Sequence, residues 1–195
     1  MSTLIAVPTR GHVDYRTVEQ LITIRDARPG LAAPMFAAGT MGPSDVRNRI
    51  ARDFLISPHD ALIMVDDDVF PPLRLLELAE HLSAWDVIGC PVLMYRDGRF
   101  HFAVYDERGD FAEQGEGVTE VGAIGAGCIA IHRRVLEELH PAFSLKLGDD
   151  GELVSTEDIT FCLKARAAGF RVGCDWTMAA DHRVSVGLGQ LVTRK

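Results

Sequence analysis

The chain lacks any apolar run approaching the ~18 residues that a membrane-spanning helix needs. Residues 1–7 are only a short, mostly apolar stretch before Pro8, without the basic start and long apolar core of a secretory signal peptide. We therefore expect a cytoplasmic protein without a membrane span. Any contact with a membrane is expected to be peripheral.

Paired cysteines are also missing. The four cysteines do not form a C-x-x-C motif, and each lies in an apolar stretch, which favours buried free thiols and a reducing compartment. They are Cys90, Cys128, Cys162 and Cys174.

Basic runs are scarce, and the formal net charge is −8. Proteins that hold nucleic acid through its phosphates need a basic face, and the nearest candidate is the short cluster Arg47, Arg49 and Arg52. The charge thus disfavours a nucleic-acid partner without excluding one. Apolar residues make up 47% of the 195 residues, which is enough for the core of one domain spanning residues 1–195.

Apolar runs alternate with amphipathic segments through the first half of the chain, which is typical of a doubly wound α/β fold. The run 61–65 reads as a buried central strand. Ser44 is a candidate N-cap, and Pro71-Pro72 a candidate helix start. The pattern predicts strands at 4–7, 33–38, 61–65, 87–93 and 170–174, and helices at 15–27, 44–54, 71–82, 133–139 and 156–168.

The second half differs in character. Turn signals at Asp97-Gly98 and Arg108-Gly109 predict antiparallel hairpins within 95–111, and the polar stretch 143–154 predicts a flexible loop. The predicted fold is therefore a single α/β domain. Its mixed sheet has central parallel strands flanked by helices, together with a smaller antiparallel hairpin region.

An acidic triplet, Asp66-Asp67-Asp68, directly follows the central strand. Adjacent carboxylates repel one another, and a bound cation relieves that repulsion. In α/β folds ligands bind at this edge of the sheet, and carboxylates suit Mg²⁺ or Mn²⁺. A solvated acidic loop, or a cap for the next helix, is the alternative.

Three further groups carry candidate chemistry, each with a structural alternative. Glu157 and Asp158 begin a helix, where the helix dipole stabilises acidic side chains. In the functional alternative, either carboxylate could accept a proton. His182 is a candidate metal ligand or an ordinary structural histidine. Gly125 and Gly127 mark either a close approach of a ligand or a tight bend.

The order of these motifs resembles the GT-A glycosyltransferases, and most closely family 2 and its relatives. The most specific parts are the Val65–Val69 motif V-D-D-D-V and the segment 155–172, which is similar to that family's "E-D … R … A-G" helix. The resemblance covers nearly the whole chain. It implies a GT-A (Rossmann-like) domain with a nucleotide-binding half at 1–94 and an acceptor and catalytic half at 95–195.

The resemblance also implies a role for each matching residue. Asp158, helped by Glu157, would be the general base, and Asp66, Asp68 and His182 would hold the metal. The nucleotide sugar would contact Pro8, Thr9, Arg10, Arg47, Asn48, Asp66, Asp67, Gly125 and Gly127.

The implied activity is transfer of a sugar from a nucleotide-sugar donor, UDP- or GDP-linked, with Mn²⁺ or Mg²⁺ as cofactor. A single base at Asp158 implies inversion of the anomeric centre. The acceptor stays open between a glycan or lipid intermediate, a protein side chain, a small molecule and a modified nucleobase, as does assembly into a homo-oligomer.

Two alternatives to this activity stay open. A sugar-nucleotide nucleotidyltransferase would carry a G-x-G-T-R loop where this chain has Pro8-Thr9-Arg10-Gly11. A non-catalytic module would bind the nucleotide sugar and transfer nothing.

Overall fold

The computed structural model of the protein describes residues 1–96 and 98–183. Its strands are β1 (Thr3–Thr9), β2 (Met35–Ala38), β3 (Ala61–Val65), β4 (Val69–Phe70), β5 (Val87–Gly89), β6 (Leu93–Arg96), β7 (Arg99–Phe102), β8 (Val104–Tyr105), β9 (Val118–Glu120), β10 (Ala123–Ile124), β11 (Cys128–His132), β12 (Lys146–Leu147), β13 (Leu153–Ser155), β14 (Val172–Asp175) and β15 (Asp181–His182). Its helices are α1 (Tyr15–Asp26), α2 (Pro43–Leu55), α3 (Glu77–His81), α4 (Arg133–Glu138) and α5 (Glu157–Ala167).

A seven-stranded sheet with the order β2-β1-β3-β11-β5-β14-β9 forms the centre of the protein. β1 pairs in parallel with β2 and β3, and β14 pairs in parallel with β5. β11 is inserted antiparallel between β3 and β5, and β9 is antiparallel at the edge. The prediction of a mixed α/β sheet is confirmed, and the sheet includes strands from both predicted halves of the chain.

Both faces of the sheet are covered, as the continuous apolar run of β3 predicts. Alternate residues of a strand point to opposite faces. Leu62 and Met64 therefore pack in one apolar cluster with residues of α2 and α5, whereas Ile63 and Val65 pack in another with residues of α1 and α3. All five residues of β3 are fully buried.

The predicted helix 71–82 is largely wrong, because only Glu77–His81 is α-helical. The chain before this helix forms a tighter turn, in which the Leu75 N–H bonds three residues back to the carbonyl of Pro72. Pro71 and Pro72 contribute no N–H donor of their own.

Three other boundaries differ from the predictions. Helix α2 begins at Pro43 with Gly42 as its N-cap, at a φ of 105°, so Ser44 is not the cap. The predicted strand 87–93 leaves the sheet after Gly89, shortly before Pro91, which has no N–H for a ladder. The predicted loop 143–154 contains most of the small hairpin of β12 and β13.

The antiparallel hairpin region is confirmed. β6 pairs with β7 across a turn in which Gly98 has a φ of 80°, a left-handed conformation that glycine adopts without strain. β8 pairs with β10, and β4 with β15. None of the helices in the described residues combines the length and apolar character that crossing a bilayer requires.

Candidate active site

The acidic triplet lies at the carboxyl end of β3, as predicted. Because β11 is antiparallel to β3, the residues before β11 lie beside this end, and the Asp66 N–H donates to the Gly127 carbonyl at 2.9 Å. The Asp68 carbonyl accepts from the Arg183 N–H, also at 2.9 Å. Segments from distant parts of the sequence therefore fix the backbone of the triplet on both sides.

Asp66 is held by Arg47 of α2 in a two-pronged ion pair. Nη1 of Arg47 lies 2.9 Å from Oδ1 of Asp66, and Nη2 lies 3.1 Å from Oδ2. Burial raises the pKa of Asp66 above its usual range, while the guanidinium of Arg47 opposes that rise. The side chain of Arg47 is only 5% exposed, and its Nε also lies 3.3 Å from Oε1 of Glu157.

Asp68 faces His182 across the β4–β15 pair, with Oδ2 and Nε2 separated by 3.3 Å. The other ring nitrogen, Nδ1, lies 3.2 Å from the carbonyl of Leu93, which can only accept a hydrogen bond. If the neutral imidazole donates from Nδ1 to the Leu93 carbonyl, its Nε2 carries a lone pair, and that lone pair faces the carboxylate of Asp68. Either a proton on the ring or a cation between the two groups stabilises that arrangement, and the hydrogen bond to Asp68 raises the pKa of His182.

The predicted three-residue metal set is not assembled. Within residues 1–96 and 98–183, no group of three or more His, Cys, Asp and Glu side chains converges as a ready-made metal cage. Asp68 and His182 come together, but Asp66 directs both oxygens to Arg47, because a buried guanidinium needs a partner of opposite charge. The remaining pair fits a divalent ion that takes its other ligands from water and substrate phosphates.

A cavity of ≈ 530 Å³, lined by charged, polar and apolar residues, opens beside the triplet. Seven of its lining residues are predicted site residues: Pro8, Thr9, Arg10, Arg47, Asp66, Asp67 and Asp68. Thr9 and Asp67 also shape the loop after β1, since the Thr9 hydroxyl donates to the carbonyl of His12 and a carboxylate oxygen of Asp67 accepts from the N–H of Arg10.

Asp158 lies at the start of α5, at the same edge of the sheet. Its Oδ1 accepts from the Thr156 hydroxyl at 2.5 Å and from the Ile159 N–H at 2.9 Å, and its Oδ2 accepts from the Ala126 N–H at 3.3 Å. Each carboxylate oxygen can accept about two hydrogen bonds. These contacts leave capacity on Oδ2, the oxygen that faces Gly125.

Gly125 and Gly127 leave room next to two of the carboxylates. A Cβ at Gly125 would lie 3.6 Å from Oδ2 of Asp158 and only 2.9 Å from Cβ of Ala103. A Cβ at Gly127 would lie 3.7 Å from Oδ2 of Asp66 and 3.3 Å from a methyl group of Val69. At both positions the absence of a side chain lets neighbouring protein segments approach the backbone closely.

Six predicted site residues do not line the cavity, namely Asn48, Gly125, Gly127, Glu157, Asp158 and His182. The carboxamide of Asn48 donates to the carbonyl of Phe143 at 2.7 Å and accepts from the N–H of Phe143 at 3.0 Å. Asn48 therefore ties α2 to the segment before β12, and it does not line the cavity.

Sequence reasoning missed Arg183 and Asp14, which also line the cavity. Nη1 of Arg183 lies 2.7 Å from Oδ2 of Asp14, the residue that caps α1. The position of Arg183 directly after His182 was the available signal. The other lining residues are His12, Val13, Gly42, Pro43 and Val46.

Comparison with known proteins shows the fold. No family model matches the chain, and no curated protein sequence matches it. Among solved structures, the chain is similar to A197 from STIV, with 22% identity and a TM-score of 0.68 over 95% of this chain and 87% of that one.

Two larger proteins share the same architecture. GalNAc-T7, solved with UDP, GalNAc and Mn²⁺, has 11% identity and a TM-score of 0.65, and TarS of S. aureus, solved with UDP-GlcNAc, has 14% and 0.59. Each match covers 95% of this chain but only 44% and 60% of those chains. Both are GT-A glycosyltransferases, and the present chain has the GT-A fold.

Proposed function

We propose that this protein is a glycosyltransferase that moves a sugar from a nucleoside diphosphate sugar to an acceptor hydroxyl. The observation that carries the proposal is the pairing of Asp68 with His182, 3.3 Å apart, beside a cavity with several charged residues at the carboxyl edge of a GT-A sheet. The UDP-containing structures of GalNAc-T7 and TarS support a nucleotide-sugar donor.

The donor is proposed to occupy the cavity, with its diphosphate towards the acidic triplet. Asp68 and His182 would hold a divalent cation beside the cavity, Mn²⁺ or Mg²⁺, and the Mn²⁺ in the GalNAc-T7 structure supports this choice. Such an ion stabilises the negative charge that develops on the departing diphosphate. His182 serves as a neutral ligand through Nε2 while Leu93 fixes its Nδ1.

Asp158 is proposed to accept the proton of the acceptor hydroxyl. Its Oδ2 keeps an acceptor position, and three hydrogen bonds hold the carboxylate in place. The oxygen of the acceptor forms the new bond to the anomeric carbon as the bond to the diphosphate breaks. One such displacement inverts the anomeric centre.

A thermal-shift screen tests the proposal with UDP-, GDP-, dTDP- and CDP-sugars, each with and without Mn²⁺. We expect one nucleotide class to raise the melting temperature in a manner that depends on the metal, because a ligand that binds only the folded state stabilises it. Asp68→Ala should abolish the shift. Asp53→Ala, which removes an exposed carboxylate of α2, should leave it unchanged.

The proposal fails if no nucleotide sugar stabilises the wild-type protein under any metal condition. A nucleotidyltransferase would instead release pyrophosphate from a nucleoside triphosphate in the presence of a sugar phosphate, with no sugar transfer.

A further inference from the structure

Arg47 connects two parts of the site that are far apart in the sequence. Its guanidinium contacts Asp66, at the end of β3, and Glu157, at the start of α5, with N–O distances between 2.9 and 3.3 Å. Both partners are neighbours of proposed functional residues: Asp66 stands two residues before Asp68, and Glu157 directly precedes Asp158.

We infer that Arg47 and Glu157 are positioning residues, which hold the cation-binding loop and the general base at a fixed separation and do not act on the reacting atoms. This inference rests on the proposed function and deepens it. It also assigns Glu157 a role different from assistance in proton transfer, since its carboxylate is turned to Arg47 and its side chain is only 10% exposed.

The burial of these charges supports the assignment. An unpaired buried guanidinium is costly, and here carboxylates contact it on two sides. Burial alone lowers the pKa of Arg47, but Asp66, Glu157 and Asp158 outweigh burial and raise it. Arg47 therefore stays charged.

Only arginine fits this place. Its planar fork bonds both oxygens of Asp66 while a third nitrogen reaches Glu157. A lysine at this position would keep the charge but not the two-pronged geometry, because its ammonium is a single compact donor. Arg47→Lys is thus a variant that separates positioning from charge.

The variants Arg47→Lys and Glu157→Gln test the inference, and Arg52→Lys at an exposed position of the same helix is the matched control. The activity measured is hydrolysis of the stabilising nucleotide sugar, in which water takes the place of the acceptor hydroxyl, followed as release of the nucleoside diphosphate. We expect Arg47→Lys to lower kcat by about 10- to 100-fold, because small displacements of reacting groups have effects of that order. Arg52→Lys should match the wild type.

Two further comparisons separate positioning from general destabilisation. In an Asp158→Asn background, Arg47→Lys should lower the residual kcat by less than about threefold, because residues that act as a unit are not additive. Without any ligand, amide hydrogen exchange around residues 66–69 and 157–160 should be faster in Arg47→Lys and Glu157→Gln than in Arg52→Lys.

The outcomes are distinct. A wild-type protein without turnover counts against the proposed function. Wild-type turnover together with unchanged kcat and exchange in both Arg47→Lys and Glu157→Gln overturns the inference and leaves the proposed function standing. An equal loss of kcat with and without Asp158 also overturns it, since Arg47 would then act independently of the base.

Discussion

Replacing Asn48 by alanine should destabilise the protein without weakening nucleotide binding. The change removes two hydrogen bonds to the backbone of Phe143, a residue that is only 1% exposed. A neutral hydrogen bond contributes about 0.5–1.5 kcal/mol net, so the free energy of unfolding should fall by about 1–3 kcal/mol. The fall is larger if the two Phe143 groups stay buried without a new partner.

Urea denaturation measures this loss, and a melting curve checks it. For a domain of this size 1 kcal/mol corresponds to roughly 2–4 °C, so the melting temperature should drop by about 2–12 °C. Asn48→Asp is the matched variant, because it can still accept from the N–H of Phe143 but cannot donate to the carbonyl. Its stability should also lie below that of the wild type, because a carboxylate oxygen would then face the Phe143 carbonyl where the amide group donates at 2.7 Å.

The opposite result would refute this reasoning. If Asn48→Ala unfolds at the wild-type urea concentration but binds the donor tenfold more weakly, Asn48 contacts the nucleotide, as the resemblance to family 2 implies. The contacts with Phe143 would then contribute nothing measurable to stability.

Three other predictions concern the site and the thiols. Asp158→Asn should lower turnover by about 10²–10⁴-fold while the donor still shifts the melting temperature, and unchanged turnover would exclude Asp158 as the base. Gly125→Ala should lower the free energy of unfolding, measured by urea denaturation, by about 1–3 kcal/mol, because its Cβ would lie 2.9 Å from that of Ala103. The added change Ala103→Gly should restore stability unless the strain lies elsewhere. The four cysteines are free and buried, as predicted, and burial raises the pKa of Cys162 to about 12. A thiol reagent at pH 8 should therefore label the native protein slowly and the unfolded protein at all four sites. Rapid labelling of the native protein would contradict the burial of the thiols.

Local sequence patterns predicted those elements whose structure depends least on contacts with distant residues. The apolar run of β3 and the acidic triplet after it were identified from the sequence because a strand buried on both faces reads as continuous apolar residues. The carboxyl end of such a strand is where α/β folds bind ligands, which correctly placed Asp66–Asp68 beside the cavity.

The partners of each side chain depended on long-range packing and could not be predicted. Arg47 lies 19 residues from Asp66 and 110 from Glu157, and no periodicity indicates which carboxylate a buried arginine will contact. The resemblance to family 2 placed Asn48 near the nucleotide, and its hydrogen bonds to Phe143, 95 residues further on, could not be predicted either. The helix before His81 was overestimated because its apolar pattern suits tight turns as well as an α-helix.

The two-residue pairing of β15 with β4 has a consequence for how the protein is made. β15 supplies His182 after every strand of the central sheet has already been synthesised. A ribosome that stopped at residue 180 would release a chain with all the strands of that sheet but only half of the Asp68–His182 pair. All the strands of the central sheet are therefore present in the growing chain before the contact between Asp68 and His182 can form.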